Sequence, residues 1–157
     1  MNAPQRYLKD VAEPAFLDFQ RNPTSARHAG QACVAVYHAI DRFKYPKKSG
    51  NLREDWRNHK DCGGMFRIVD MIAHKYKHAV SGDEKEPIDA RKLTLRGLVF
   101  GKEVGGTSGF NATDLGEGGI DLHNLQFVIR DVIQFLHQEA LKLPDATPDE
   151  GGNNPHV

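Results

Sequence analysis

The chain has 157 residues, of which 39% are hydrophobic and 27% charged, and its formal net charge is zero. This length fits one domain with one core, and the hydrophobic fraction excludes a chain that is disordered throughout. The neutral balance argues against a protein held on nucleic acid by bulk charge. No apolar stretch is long enough to cross a bilayer and no signal-peptide core is recognisable, so we expect no membrane partner. The two cysteines, Cys33 and Cys62, are too few for a disulfide framework, and we expect a reducing cytoplasm.

The first part of the chain predicts a loose arm followed by two helices. Residues 1–12 are interpreted as a flexible N-terminal arm, and a short helix is predicted from Pro14 through Phe19. Polar capping residues and a proline at 22–25 predict the start of a long helix that ends near Tyr45. Its buried face is predicted by apolar residues at steps of three and four. These residues are Ala29, Cys33, Val36, Ile40 and Phe43.

A second long helix is predicted from Met65 to about Val80. It follows a short helix around Trp56 and a break at the glycines 63–64. Its apolar residues again recur at steps of three and four, which is typical of a helix with one buried face. These residues are Phe66, Val69, Ala73, Tyr76 and Val80.

Residues 83–120 have a different pattern. Alternation from Lys92 to Arg96, extended to Phe100, predicts a strand, and the glycine-rich stretch 101–120 predicts a long loop or irregular hairpin. A final helix is predicted to open at Asp121, and residues 143–157 are predicted to be a disordered tail. The buried stripe of this final helix is expected at Leu122, Leu125, Ile129, Val132, Leu136 and Ala140, widened by Phe127, Ile133 and Phe135. The predicted fold is therefore mainly α, an up-and-down bundle of four to five helices over residues 13–142, with a small β-hairpin or irregular insertion before the last helix.

The second long helix carries a polar stripe whose residue types are suited to catalysis. Its candidate catalytic residues are Arg67, Asp70, His74 and His78. At ~100° per residue, the arginine and both histidines fall within about 40° of one another, roughly opposite the apolar stripe, and Asp70 lies at the margin. Histidine can accept and donate a proton near neutral pH, and arginine can hold a phosphodiester. This combination suits metal-independent RNA cleavage, so no cofactor is predicted.

Nearby basic residues extend this interpretation. Residues 42–78 contain ten lysines and arginines against four acids, a local excess of six positive charges that attracts anions. Lys75 and Lys77 flank the stripe as candidate substrate-binding residues. His38 joins them if the two long helices are neighbours.

The spacing Arg67-x6-His74 on an inner helix of a bundle resembles the HEPN superfamily, whose small helical proteins often act as ribonucleases. The segments ACVAVYHAIDRF and FRIVDMIAHKYKHA also resemble uncharacterised bacterial HEPN-like proteins, and the resemblance covers roughly residues 15–140. It implies a homodimer in which Arg67 grips the scissile phosphate of RNA and His74 acts as base or as a donor to the phosphate. The sequence departs from the family where Ile68 replaces the polar residue that usually follows the arginine, and Asp70 is the nearest candidate for that role.

Three other interpretations stay open at this point. The polar stripe can be an ordinary solvated helix surface. The chain can be a non-catalytic nucleotide- or protein-binding module, such as an antitoxin-like partner. Alternatively, Asp70, His74 and His78 offer half of a metal site on one helix face, to which His38 or His59 would add a ligand.

Overall fold

Six α-helices and three short strands form the part of the chain that the computed structural model describes, namely residues 1–45, 47–81, 102–104, 107–110 and 120–146. The helices are α1 (Ala3–Tyr7), α2 (Glu13–Arg21), α3 (Ala26–Ala39), α4 (Leu52–Arg57), α5 (Gly63–Ser81) and α6 (Leu122–Leu141). The strands are β1 (Lys102–Val104), β2 (Thr107–Phe110) and β3 (Ile120–Asp121). A π-helical turn, Leu8–Ala12, joins α1 to α2, and a 3₁₀ turn, Ile40–Arg42, follows α3.

The helices form a bundle around α3, which packs against α2, α5 and α6. Helix α5 also packs against α4 and α6. Gly30 of α3 leaves room for the ring of Tyr76 on α5, because a Cβ atom at position 30 would collide with that ring. The predicted mainly α bundle with a small β insertion before the last helix is confirmed. Within the described residues, no helix has both the length and the apolar character needed to cross a membrane.

The buried stripes of the long helices follow the apolar spacing in the sequence. Every α3 residue of the predicted stripe is buried, and so are the six main stripe residues of α6. Ser25 and Asp121 cap these two helices by accepting the backbone N–H of His28 and Asn124, which explains why the helices begin there. Phe127 differs from the prediction: its side chain is 45% exposed, so it does not widen the buried stripe.

The end of α3 also differs from the prediction. The α-helix ends at Ala39 and not near Tyr45, because the backbone tightens into the 3₁₀ turn, where Phe43 N–H donates to the Ile40 carbonyl at 3.2 Å.

The N-terminal segment is helical, so the prediction of a flexible arm over residues 1–12 is wrong. Leu8 and Ala12 of the π-helical turn are fully buried. Pro14 cannot donate an N–H, and the wider turn before it accommodates the proline ring within a continuous helix. Asn2 caps α1 and donates through Nδ2 to the Ala140 and Leu143 carbonyls at 2.8 and 3.2 Å, which ties the segment to the end of α6.

The strands form an antiparallel sheet in the order β1-β2-β3. Lys102 pairs with Gly109, and Phe110 pairs with Ile120 immediately before α6. The strand predicted over residues 92–100, most of the glycine-rich stretch and the tail 147–157 lie outside the described residues.

Candidate functional site

An aromatic cluster holds the short helix α4 against the bundle. Trp56 is buried, with its ring centroid 4.9 Å from Phe43, 5.6 Å from Phe66 and 5.5 Å from Phe135. Such a cluster buries a large apolar area and favours edge-to-face geometry, as two of these pairs show. The anchoring leaves the arginines of α4 beside the polar face of α5. We call this surface the α4–α5 face and define it by Arg53, Arg57, Arg67, Asp70 and His74.

The connection between α4 and α5 brings the two helices unusually close. Gly63 N–H donates to the His59 carbonyl at 2.9 Å, and a Cβ atom on Gly63 would lie 2.5 Å from the Arg57 carbonyl oxygen. Only glycine leaves room for this approach. Arg67, one turn into α5, consequently reaches back to the end of α4: its Nε donates to the Arg57 carbonyl at 3.1 Å, and its Nη2 donates to Asn58 Oδ1 at 3.1 Å.

Asp70 lies between α5 and the neighbouring helices, with its side chain only 17% exposed. Arg57 Nη1 lies 3.3 Å from Asp70 Oδ2, and the Tyr37 hydroxyl lies near the same carboxylate. Burial raises the pKa of Tyr37, and the charge of Asp70 raises it further. Tyr37 therefore keeps its proton well into the alkaline range, and Asp70 on α5 pairs with Arg57 of α4 while lying near Tyr37 of α3.

His38 belongs to the same polar network. Its Nδ1 lies 3.3 Å from Asp41 Oδ2, and the other carboxylate oxygen of Asp41 accepts a hydrogen bond from Arg53 Nη2 at 2.7 Å. Arg53 Nη1 donates to the Tyr37 hydroxyl at 2.8 Å. The structure thus connects His38 to Tyr37 through Asp41 and Arg53, and Tyr37 lies near Asp70. The two long helices are neighbours, as the placement of His38 required.

His74 lies one turn beyond Asp70, and its side chain is exposed. It lies seven positions after Arg67 on the same α-helix, so the two side chains emerge on one side of α5, ~10 Å apart along its axis. His78, Lys75 and Lys77 lie on the same helix, and their side chains are outside the described part of the structure.

The charges of this network are unequal. Arg53 pairs with Asp41 and Arg57 with Asp70, whereas Arg67 donates to the Arg57 carbonyl and to Asn58 Oδ1 and has no carboxylate partner among the described residues. The Arg53 guanidinium also lies 4.4 Å from the Tyr37 ring centroid, and its buried Nε has no hydrogen-bond partner among the described residues. A cluster with excess guanidinium favours an anion with several acceptor oxygens, such as a phosphodiester.

Sequence reasoning did not identify Tyr37, Arg53 or Arg57 individually. The two arginines counted only toward the basic stretch, and Tyr37 carried no signal beyond its position next to His38. Their roles depend on α4 lying across α3 and α5, which no local spacing predicts.

Among the residues that the structure describes, the predicted metal ligands are not seen to converge on one site. Within the described ranges, no three histidine, cysteine, aspartate or glutamate side chains form a group that would hold a metal ion. Asp70 pairs with Arg57 and lies near Tyr37, and the His78 side chain lies outside those ranges. The metal interpretation stays a prediction.

Comparison of the chain with protein families, with curated proteins and with solved structures found no match. The fold and the site therefore define a mainly α bundle with a basic polar face, and the resemblance to the HEPN superfamily rests on the residues quoted for it.

Proposed function

We propose that the protein binds RNA at the α4–α5 face and cleaves it without a metal ion, with Arg67 and His74 as the reacting pair. The observation that carries this proposal is the placement of Arg67 and His74 on one exposed side of α5, next to the arginines of α4. An RNA backbone laid along this face meets guanidinium groups at one end and an imidazole at the other.

The chemistry needs a base and a group that stabilises negative charge. His74 removes the proton of a ribose 2′-hydroxyl, whose oxygen then attacks the adjacent phosphorus. The bond to the 5′-oxygen breaks, which leaves a 2′,3′-cyclic phosphate and a 5′-hydroxyl that takes up a proton. Arg67 stabilises the charge that builds on the phosphate oxygens, and its bonds to α4 hold the guanidinium in one orientation. Asp70 acts through Arg57 as a positioning residue.

The resemblance to the HEPN superfamily adds a second copy of the chain to this proposal. Two copies that meet along α5 place two Arg67–His74 pairs in one cleft, so that one imidazole serves as base and the other protonates the leaving oxygen. Sedimentation velocity checks this part separately, because a monomer at working concentration contradicts the shared cleft without removing RNA binding.

The test is RNA cleavage in the presence of a chelator. Arg67→Ala and His74→Ala are each expected to lower the rate by about 10²–10⁴-fold. Arg130→Ala and His123→Ala are the matched controls, because both side chains are exposed on α6. Equal rates in the wild type and in all four variants would remove the proposal.

A second candidate function is RNA binding without cleavage. The observation that favours it is that Arg67 already donates two hydrogen bonds within the chain, and Asp70 pairs with Arg57 and lies near Tyr37. Gel-shift titration with labelled RNA separates the two functions. Binding that weakens in Arg67→Ala and Arg57→Ala, with no cleavage in any sample, identifies the binding module.

A further inference from the structure

A cleft opens where α1 and the π-helical turn meet the 3₁₀ turn after α3. Its volume is about 390 Å³, which lies in the range of small-molecule pockets. The lining residues that matter here are Arg6, Tyr7, Asp10, Val11, Arg42 and Tyr45. None of them was a candidate site residue in the sequence: residues 1–12 were expected to be a flexible arm, and Arg42 counted only toward the basic stretch.

One wall of this cleft is an exposed aromatic platform. Tyr45 is 68% exposed and Val11 is 42% exposed, so two apolar surfaces face solvent in the same cleft. A tyrosine ring in this setting offers a flat surface for a planar ligand. Any of the nucleobases can stack on such a ring, because every base has a π-face.

The cleft is also lined by positively charged side chains. The Arg42 guanidinium lies 5.1 Å from the Tyr7 ring centroid, which holds it at the cleft. Arg6 supplies a second guanidinium, and Asp10 supplies one carboxylate, so the lining has an excess of one positive charge. Arginine forks match the oxygens of a phosphate, and π-helical turns occur frequently at functional sites.

We propose that this cleft binds a nucleotide, with the base stacked on Tyr45 and the phosphate held by Arg6 and Arg42. A free mononucleotide and a nucleotide of single-stranded RNA present the same chemistry to it. The site uses neither Arg67 nor His74, so it stands whether or not the α4–α5 face cleaves RNA.

Isothermal titration with AMP, adenosine, inorganic phosphate and a short oligouridylate tests the site directly. Tyr45→Ala and Arg42→Ala are each expected to weaken binding by about tenfold, through loss of stacking and of a charge-assisted contact. Asp10→Asn is expected to strengthen it severalfold, since it removes the negative charge beside the phosphate. Lys44→Ala is the matched control, an exposed basic residue near Arg42 that does not line the cleft.

The outcomes separate the sources of the ligand. Binding of AMP with this variant pattern supports a free nucleotide, and binding of the oligouridylate alone with the same pattern supports RNA. Adenosine that binds as tightly as AMP overturns the role of the arginines. Phosphate that binds as tightly as AMP overturns the role of Tyr45. Binding that is absent at millimolar concentration, or that no variant changes, overturns the site.

Discussion

The contact between the end of α4 and the start of α5 makes a sharp stability prediction for Gly63→Ala. The new Cβ atom would lie 2.5 Å from the Arg57 carbonyl oxygen, whereas ordinary van der Waals contacts begin at 3.4 Å. The two backbones must therefore separate by roughly 1 Å, and overpacking of this kind costs about 1–3 kcal/mol. Replacing glycine by alanine also lowers the conformational entropy of the unfolded chain, which raises the free energy of unfolding by only about 0.4–1 kcal/mol.

Gly64→Ala is the matched control at the next position. A Cβ atom there meets nothing within 4 Å, so only the gain of about 0.4–1 kcal/mol applies. We expect the two variants to differ by about 2 kcal/mol in free energy of unfolding, or roughly 4–8 °C in melting temperature for a chain of this size.

Urea unfolding followed by fluorescence suits this measurement, because Trp56 is the single tryptophan and packs beside the affected junction. The m-value should be unchanged, since the same surface unfolds. If Gly63→Ala is as stable as Gly64→Ala, the close approach of α4 and α5 is refuted, and with it the orientation of Arg67.

Three further predictions test other parts of the molecule. Trp56→Ala should lower the free energy of unfolding by about 3–5 kcal/mol, because it empties the aromatic cluster, and Trp56→Phe should lower it clearly less. Urea unfolding followed by circular dichroism measures both variants, and equal losses would contradict the packing. Asn2→Ala should lower the free energy of unfolding by about 1–3 kcal/mol, because it removes a helix cap and two hydrogen bonds to the end of α6; a thermal melt that matches the wild type would argue against this tether. Because the pKa of Tyr37 is raised in the folded chain, the Tyr37 hydroxyl loses its proton at a lower pH in the unfolded chain. Titration of Tyr37 should therefore leave the free energy of unfolding unchanged below about pH 10 and lower it as pH rises further. The urea midpoint of Tyr37→Phe should decline less steeply in that range, and parallel declines would count against a raised pKa.

The local spacing of apolar residues determined the long helices. Residues at steps of three and four predict one buried face wherever the neighbours happen to lie, and this held for Cys33 and Val36 of α3 and for Ile129 and Val132 of α6. Capping residues likewise act within one turn, so Asp121 and the polar segment 22–25, which ends in the cap Ser25, marked helix starts correctly. The exposed polar side of α5, with Arg67 and His74, was predicted from the same periodicity.

Contacts between distant segments decided the rest. Asn2 bonds to a carbonyl 138 residues away, and the burial of Leu8 depends on packing against other helices. Asn2, Pro4 and Gln5 form a local start signal for the N-terminal helix, but that signal does not specify its docking on the end of α6. The roles of Arg57 and Tyr37 at Asp70 arise in the same way, because three helices must already be in place before the carboxylate has these neighbours. Periodicity reports which side of a helix is apolar, whereas the partner of each polar group is set by the direction and closeness of helix packing, which here depends on glycines at 30 and 63.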